Sequence, residues 1–441
     1  MADIYPFRGI TFRNEKVGPL DKVVSQPYDK ITPQMKVRYL EQSAFNIARV
    51  ILPAASGTTS EEPYLEAARC FNGWLETGIL DRSPRPCLYP YHQTFPIPGT
   101  DTKATRKGFI ALGQLYDYSA GVVRPHEHTH SGPKIDRLML TRATGCQFGL
   151  LFMLYQDPGS AVNELIDSQI QDKEPFTSVR DEYGVTHSVW IVPDGEPVRQ
   201  MQRLMRDKKL YIADGHHRYE TALTYWREQA ELGVPSTGNE AIDRAMMAFV
   251  SVEDSGLVIL PTHRVLFSLP EFSSPKLLGE LENHFKVTPR GTADQKTLKK
   301  TLREISGSRK IFLFTSRESD KLYSLELNRE ADLNLLVKSQ LSDHWKSLDV
   351  NILHKLIFES CLGINEKELT RQEKVVYLRD PLEALDMVQD PTSKYQAAFF
   401  LNPPQVQDVV EVADRGECMP QKSTDFYPKM LTGLVINRIN R

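Results

Sequence analysis

The stretch Lys209-Leu-Tyr-Ile-Ala-Asp214-Gly215-His216-His217-Arg218-Tyr-Glu220 constrains this chain more than any other. Residues 210–213 form a short apolar run with β-branched and aromatic members, which predicts a buried strand. Five residues of a different kind follow at once, Asp214 to Arg218, and then a helical pattern runs to about residue 231. The polar cluster therefore lies on a strand-to-helix turn. A helix start exposes unpaired N–H groups and the positive end of a dipole, which favour an anion. Gly215 has no Cβ, so a ligand could approach the backbone closely. Arg218 offers a planar fork of donors suited to phosphate. His216 and His217 can exchange protons or bind metal, and Asp214 can orient a histidine or hold a cation. Single histidines are ordinary structural residues. Five such residues in succession after a strand point instead to phosphate or nucleotide handling.

At 441 residues the chain has room for two or three domains. Its net charge of −3 gives no basic excess, so nucleic acid is not an expected partner. Cys70, Cys87, Cys146, Cys361 and Cys418 are scattered, odd in number and without a C-x-x-C pair. That spacing predicts a reducing cytoplasm rather than a disulfide framework or a zinc ribbon. The opening residues lack the apolar core of a signal peptide, and no run of about 18 apolar residues predicts a membrane span.

Along the chain, 23–24 read as a strand ending at Pro27, which places Tyr28 and Asp29 on a turn. Thr32 caps a helix through about residue 41. Residues 46–52 read as a strand, and 60–63 open a helix with Tyr64, Leu65, Ala68, Phe71 and Leu75 at helical spacing. Strands over 87–95 and 106–115 form a long hairpin. Further strands are expected at 147–155 and 188–192, and helices at 161–172 and 197–206. Residues 246–252 and 257–261 flank a turn and read as a second hairpin, ending at Thr262-His263-Arg264. That pair is a second phosphate contact, a metal ligand or a solvent-facing pair. From 274 Lys and Glu become frequent, and a boundary near 270 divides a catalytic α/β region (1–270) from an α+β domain (271–441). In that second region strands at 310–315, 322–327, 374–379 and 395–401 alternate with helices at 275–285, 348–362, 382–389 and 405–414.

Two more polar clusters stand out. Residues 124–137 contain His126, Glu127, His128, Thr129, His130, Lys134, Asp136 and Arg137, with Gly and Pro making a loop before a helix that starts near Asp136. If extended, the three histidines share one face, a candidate metal grip. The letters match H-E-x-x-H, but Pro125 and Gly132-Pro133 are hostile to a zincin helix. Glu127, Thr129 and Lys134 are the preferred functional residues of this loop. Lys422, Ser423, Thr424, Tyr427 and Lys429 could close over an anion, although no Gly-rich loop makes them a P-loop.

Together, Pro27-Tyr28-Asp29, His126-Glu127-x-Thr129 with Lys134-x-Asp136-Arg137, Ala213 to Arg218, Leu260-Pro-Thr-His-Arg264 and Met419-Pro-x-Lys422-Ser-Thr-x-Phe-Tyr-Pro-Lys429 resemble the bacterial and archaeal domain-of-unknown-function family numbered 1015. Five motifs in one order span nearly the whole chain. Asp214 to Arg218, between strand and helix, is also similar to the signature turn of the ParB/sulfiredoxin-like fold over some forty residues. That superfamily includes sulfiredoxins, nucleotide-hydrolysing partition proteins and free-serine kinases. The sulfiredoxin turn is Gly-Gly-Cys-His-Arg. Here His216 takes the place of the cysteine, which argues against sulfinic-acid repair. The resemblance implies a ParB/sulfiredoxin-like core with a mixed sheet, and nucleotide phosphate binding at Gly215 to Arg218.

The expected function is nucleotide-dependent phosphotransfer to a small metabolite, with a serine-like hydroxyl as leading acceptor. Gly215, His217 and Arg218 would hold the phosphates of ATP or ADP, joined by Arg137, Ser423 and Thr424. Glu127 or Asp29 would take the acceptor's proton, with Asp214 and His216 completing the catalytic set. Mg²⁺ would bridge phosphate oxygens and Asp214, and Lys134 and Lys422 would neutralise the transferred group. The partners expected are a nucleotide and a small-molecule substrate, with a homodimer left open and no membrane. The alternatives are a metal-dependent phosphohydrolase using His126, His128, His216, His217 or His263, and a non-catalytic nucleotide-binding regulator.

Overall fold

The computed structural model describes residues 2–53, 60–127, 131–238 and 240–439. Contacts divide these residues into two units. The first gathers the described residues of Met1–Pro125, Thr129–Val258 and Pro428–Arg441; the second gathers those of His126–His128 and Ile259–Tyr427.

The first unit is a mixed α/β structure on a large sheet. Its strands β1 (Cys87–Pro96), β2 (Lys103–Gln114), β3 (Val123–Arg124), β4 (Leu151–Tyr155), β5 (Thr177–Arg180), β6 (Thr186–Val189), β7 (Leu210–Asp214) and β8 (Arg244–Ser251) lie in the order β3-β7-β4-β8-β2-β1-β6-β5. Two pairings, β3 with β7 and β4 with β8, are parallel. The other neighbours are antiparallel. The β1–β2 hairpin runs from Tyr89 opposite Ile110 to Pro96 opposite Lys103.

Period two decides which residues enter the core. Leu151, Met153 and Tyr155 of β4 and Ala245, Met247 and Phe249 of β8 join one cluster, where Tyr219 and Leu223 meet them from a helix. Three helices matter for the site: α1 (Glu62–Glu76), α2 (Ser131–Thr144) and α3 (His216–Glu231). α2 packs against both of the others. A second cluster collects Phe71 and Trp74 of α1, Leu140 of α2, Phe148 and Ile436.

The second unit carries an antiparallel sheet. Its strands β9 (His263–Phe267), β10 (Phe285–Thr292), β11 (Ile311–Ser316), β12 (Ser319–Leu327), β13 (Val375–Leu378) and β14 (Tyr395–Phe400) run in the order β10-β12-β11-β14-β9-β13. Helices Gln295–Glu304 and Pro381–Gln389 supply Leu298 and Leu385 to its core.

Several local expectations are overturned. Residues 46–52 are not a strand: Ala48–Ile51 is a helical turn. Asn46 starts it, its side chain accepting from Ala48 N at 2.9 Å and donating to the Lys22 and Val24 carbonyls. Those side-chain-to-backbone bonds outweigh the β-branched letters, which a four-residue apolar run cannot arbitrate. Val23 and Val24 are buried without forming a strand, between the 3-10 turns Leu20–Lys22 and Tyr28–Lys30. β8 pairs with β2 and β4 rather than folding back on 257–261. The helix expected over 348–362 is α-helical only at Asp349–Ile352 and π-helical over Leu353–Cys361. Helix Gln295–Glu304 escapes sequence reading because its apolar face carries only two leucines.

Phe249 is fully buried and stacks on Phe109 at 5.0 Å. Phe249→Ala is expected to destabilise the first unit by about 3–5 kcal/mol, read as a lower denaturation midpoint. A loss under about 1 kcal/mol would mean that the cluster collapses around the gap.

Candidate functional site

β7 reaches the turn through a bulge between Ile212 and Asp214, where its register against β4 shifts. A bulge re-aims the residue that follows it. Gly215 then takes φ +99°, and a Cβ there would stand 3.2 Å from both the Arg218 guanidinium carbon and Leu151 Cδ2. Only glycine suits that backbone and that space. α3 starts at His216, which is buried, with His217 half-buried beside it.

The side chains of this turn form a charged knot. Asp214 Oδ2 accepts from Arg218 one helical turn later, and Oδ1 accepts from Lys429 Nζ at 2.9 Å. Arg218 also donates to the Leu150 carbonyl. Burial alone would raise the Asp214 carboxyl, but Lys429, Arg218 and Lys30 hold it far below the usual carboxylate range. Burial likewise opposes the charge on Arg218, and Asp214, Asp29 and Tyr28 more than offset it. Lys429 is held in place through its backbone: Gln93 Nε2 donates to its carbonyl at 3.0 Å, and Arg106 donates to the Pro428 carbonyl at 2.6 Å. Arg106 is itself buried, 4.6 Å over the Phe152 ring.

Facing this knot, Arg137 lies 4.3 Å over the Tyr28 ring. Its Nε donates to Asp136 Oδ2 at 2.8 Å, and Tyr64 donates to the other oxygen at 2.6 Å. Lys134 reaches Glu220 at 2.7 Å, tying α2 to α3. Asp29 is exposed on the Tyr28–Lys30 turn. Lys30, Arg137, Arg218 and Lys429 thus stand against Asp29, Asp136 and Asp214, four positive charges to three negative.

Tyr28, Arg137 and Arg218 of this cluster border a partly open cavity. Arg218, Thr221, Ala222 and Tyr225 line it from α3, and Arg137, Leu140 and Thr141 from α2, each a single helical stripe. Ile51, Phe148, Leu151, Ile242, Met246 and Ile439 make much of the remaining wall apolar. Tyr225 is 2% exposed, and its hydroxyl has no partner among the described residues. A buried hydroxyl left alone costs about 1–3 kcal/mol. An apolar cavity with two guanidiniums and one orphan hydroxyl suits a molecule with a flat apolar body and an anionic group.

Of the residues singled out by sequence, Asp29, Lys134, Arg137, Asp214, Gly215, His216, His217 and Arg218 belong to the first unit. Glu127, Lys422, Ser423 and Thr424 belong to the second. There Glu127 bridges Met419, and His126 Nε2 lies 2.9 Å from Thr424 Oγ1. Ser423 is buried, and Lys422 adopts φ +59°. His128, Thr129 and His130 lie outside the described residues. Among the described residues no three His, Cys, Asp or Glu side chains gather as a metal site. Asp214, the carboxylate expected to hold Mg²⁺, is paired with Arg218 and Lys429 in this structure. His263 and Arg264 are buried, at 1% and 2% exposure, and do not face solvent. The five cysteines are free, and no helix among the described residues is long and apolar enough to cross a membrane. Sequence reasoning overlooked Lys30 and Tyr225. The signal for Tyr225 is its spacing, three and seven residues after Arg218 giving Thr221 and Tyr225 on one face.

Asp214 binds its proton more weakly folded than unfolded. The stability it contributes is complete above the unfolded value near 4 and drains away as pH falls below it. Asp214→Asn should therefore be less stable than the parent chain at pH 7, and the gap should narrow below about pH 4 in urea titrations. A gap independent of pH would contradict the charged knot.

No curated protein matches this sequence. Among solved structures it is similar to a conserved hypothetical protein from Pyrococcus furiosus, at 14% identity over 69% of this chain and 87% of that one, with a TM-score of 0.32. It is similar to a free serine kinase in complex with AMP, at 12% identity over 69% and 84% with a TM-score of 0.33, and a variant of that kinase is in complex with ADP. SbnI from Staphylococcus aureus, truncated at its C-terminus, matches at 10% identity over 73% and 85% with a TM-score of 0.32. Scores of that size assign no activity to this chain. The sequence itself is decisive about kinship: residues 4–351 match the DUF1015 proteins of unknown function, and the chain belongs to that family.

Proposed function

We propose that the first unit binds a nucleotide-like phosphorylated molecule in the cavity beside α3, and that the protein transfers a phosphoryl group from it to the hydroxyl of a small metabolite, a serine-like amino acid being the leading acceptor. In this reading the core is of the ParB/sulfiredoxin-like kind. The observation that carries the reading is the cavity's wall: Arg218 and Arg137 beside the opening turn of a 16-residue helix, above an apolar pocket with an orphan hydroxyl.

Phosphoryl transfer asks a protein mainly to position groups and neutralise charge. The N–H groups of the first turn of α3 point along the helix dipole at an anion. Arg218, pinned by Asp214 and the Leu150 carbonyl, presents its remaining donors in a fixed fork. Arg137 is fixed as firmly by Asp136 and the Tyr28 ring. The flat body of the ligand, a base in the case of ATP or ADP, would lie against Leu140, Phe148 and Ile242, with Tyr225 Oη donating to it. Asp29, exposed next to Tyr28, is the carboxylate of this unit suited to take a hydroxyl proton. Mg²⁺ would arrive on the phosphate oxygens and neutralise them, Asp214 being already paired.

Two substitutions separate this reading from a structural role. Arg218→Lys keeps the charge and loses the fork, and should weaken ATP and ADP binding by about 10–100-fold in calorimetry, the worth of one or two charged hydrogen bonds. Tyr225→Phe removes a hydroxyl that has no protein partner, so thermal stability should hold or rise while nucleotide binding weakens. Incubation of the protein with ATP or ADP, Mg²⁺ and L-serine should yield phosphoserine by ³¹P NMR. Nucleotide affinity unmoved by either change would sink the site; tight binding without turnover over a broad acceptor panel would leave a nucleotide-binding regulator in place of a transferase.

A further inference from the structure

The second unit holds a buried charge with which no carboxylate among the described residues pairs. Arg264, on β9, is 2% exposed. Its guanidinium donates to two backbone carbonyls, those of Thr262 and, at 3.4 Å, Lys422, and lies 5.4 Å from the Tyr377 ring centroid. Nε has no partner, and no carboxylate among the described residues pairs with it. Burial pulls the group down to about 10, so it is still a cation at neutral pH. Buried charges are ordinarily paired, because an isolated one costs several kcal/mol. Arg106 in the first unit shares the burial, but its donors are largely taken up by Gln93 and the Pro428 carbonyl.

Arg264 is not sealed in the core. It lines a partly open cavity together with Thr262, Ser308, Asn402 and Ser423. Leu348, Val350, Leu401 and Met419 give the same cavity apolar walls. We infer that this cavity is a second ligand site, independent of the one beside α3, and that it takes a small monocarboxylate paired with the guanidinium of Arg264. A guanidinium edge matches a carboxylate in shape and in charge, one against one. A phosphate dianion fits less well. The wall already carries Asp408, paired with Arg309 at 2.9 Å, and Asp349, which burial pushes up to about 6. A second negative charge from the ligand would meet those carboxylates without a further cation to answer it.

The test uses the full chain and sodium propionate, with sodium phosphate and sodium chloride at matched ionic strength as comparisons. Binding is read by line broadening of [1-¹³C]propionate and by the melting midpoint, since a ligand of the folded state raises it. The parent protein should broaden the propionate signal and melt higher in propionate than in chloride, with phosphate giving the smaller rise. Arg264→Met should abolish both effects while melting no lower than the parent in chloride, because a buried unpaired charge is replaced by an apolar side chain of similar size. Arg264→Lys, which keeps a charge without the fork, should weaken propionate binding at least about tenfold. The inference is overturned if propionate does not bind, if phosphate stabilises more than propionate, or if either variant binds propionate as the parent does. A destabilised Arg264→Met would show that the guanidinium is a structural strut, and would equally overturn it.

Discussion

Taking a single carboxylate out of water costs several kcal/mol unless opposite charge and hydrogen bonds replace the solvent. At the end of β7 that replacement comes from two directions at once. Arg218 is four residues away on α3, so it is supplied by helical geometry. Lys429 is more than two hundred residues away in sequence and must be delivered by the tertiary fold. The Pro428–Arg441 segment therefore belongs with the first unit for an electrostatic reason as well as for the apolar contacts of Ile436 and Ile439. Arg106 and Gln93, by gripping the carbonyls of 428 and 429, set where that ammonium ends up.

This dependence explains why the turn can hold guanidiniums beside an apolar cavity. A free arginine in such a place would sweep many rotamers and lose entropy on binding. Arg218 and Arg137 have lost that freedom already, one to Asp214 and the Leu150 carbonyl, the other to Asp136 and Tyr28. Each keeps charge near the cavity while its own carboxylate lowers the cost of burial. Arg264 in the second unit is the opposite case: the same group, equally buried, with carbonyls in place of a carboxylate. The contrast between a compensated and an uncompensated guanidinium is what sets the chemistry each cavity can hold.

How far the sequence reveals all this depends on distance along the chain. The strand, the glycine and the helix start at 210–231 are consecutive, so local rules find them together with their residues. The β1–β2 hairpin and Thr32's cap, which accepts from Met35 N at 3.2 Å, are local in the same sense. The parallel pairings of β3 with β7 and of β4 with β8 are not, and neither are the cavity walls, which bring Ile51, Phe148, Ile242 and Ile439 from four separate stretches. Residues 46–52 fail for a different reason. Val50 and Ile51 favour a strand, but the buried Asn46 amide offers three backbone groups a partner, and a helical turn is the conformation that accepts them.

The Lys422-Ser423-Thr424 turn carries the same lesson into the second unit. By letters it suggests a phosphate cradle, whose hallmark is a row of free backbone N–H groups. What its neighbours use is instead its carbonyl and hydroxyl oxygens. The Lys422 carbonyl accepts from Arg264, and Thr424 Oγ1 meets His126 Nε2. Ser423 Oγ turns to the Pro420 carbonyl while its residue stays in the cavity wall. Lys422 holds φ +59° there without being glycine, a conformation that costs about 1 kcal/mol or more. That backbone turn aims the Lys422 carbonyl at Arg264, so the conformation of the turn and the position of the guanidinium are linked.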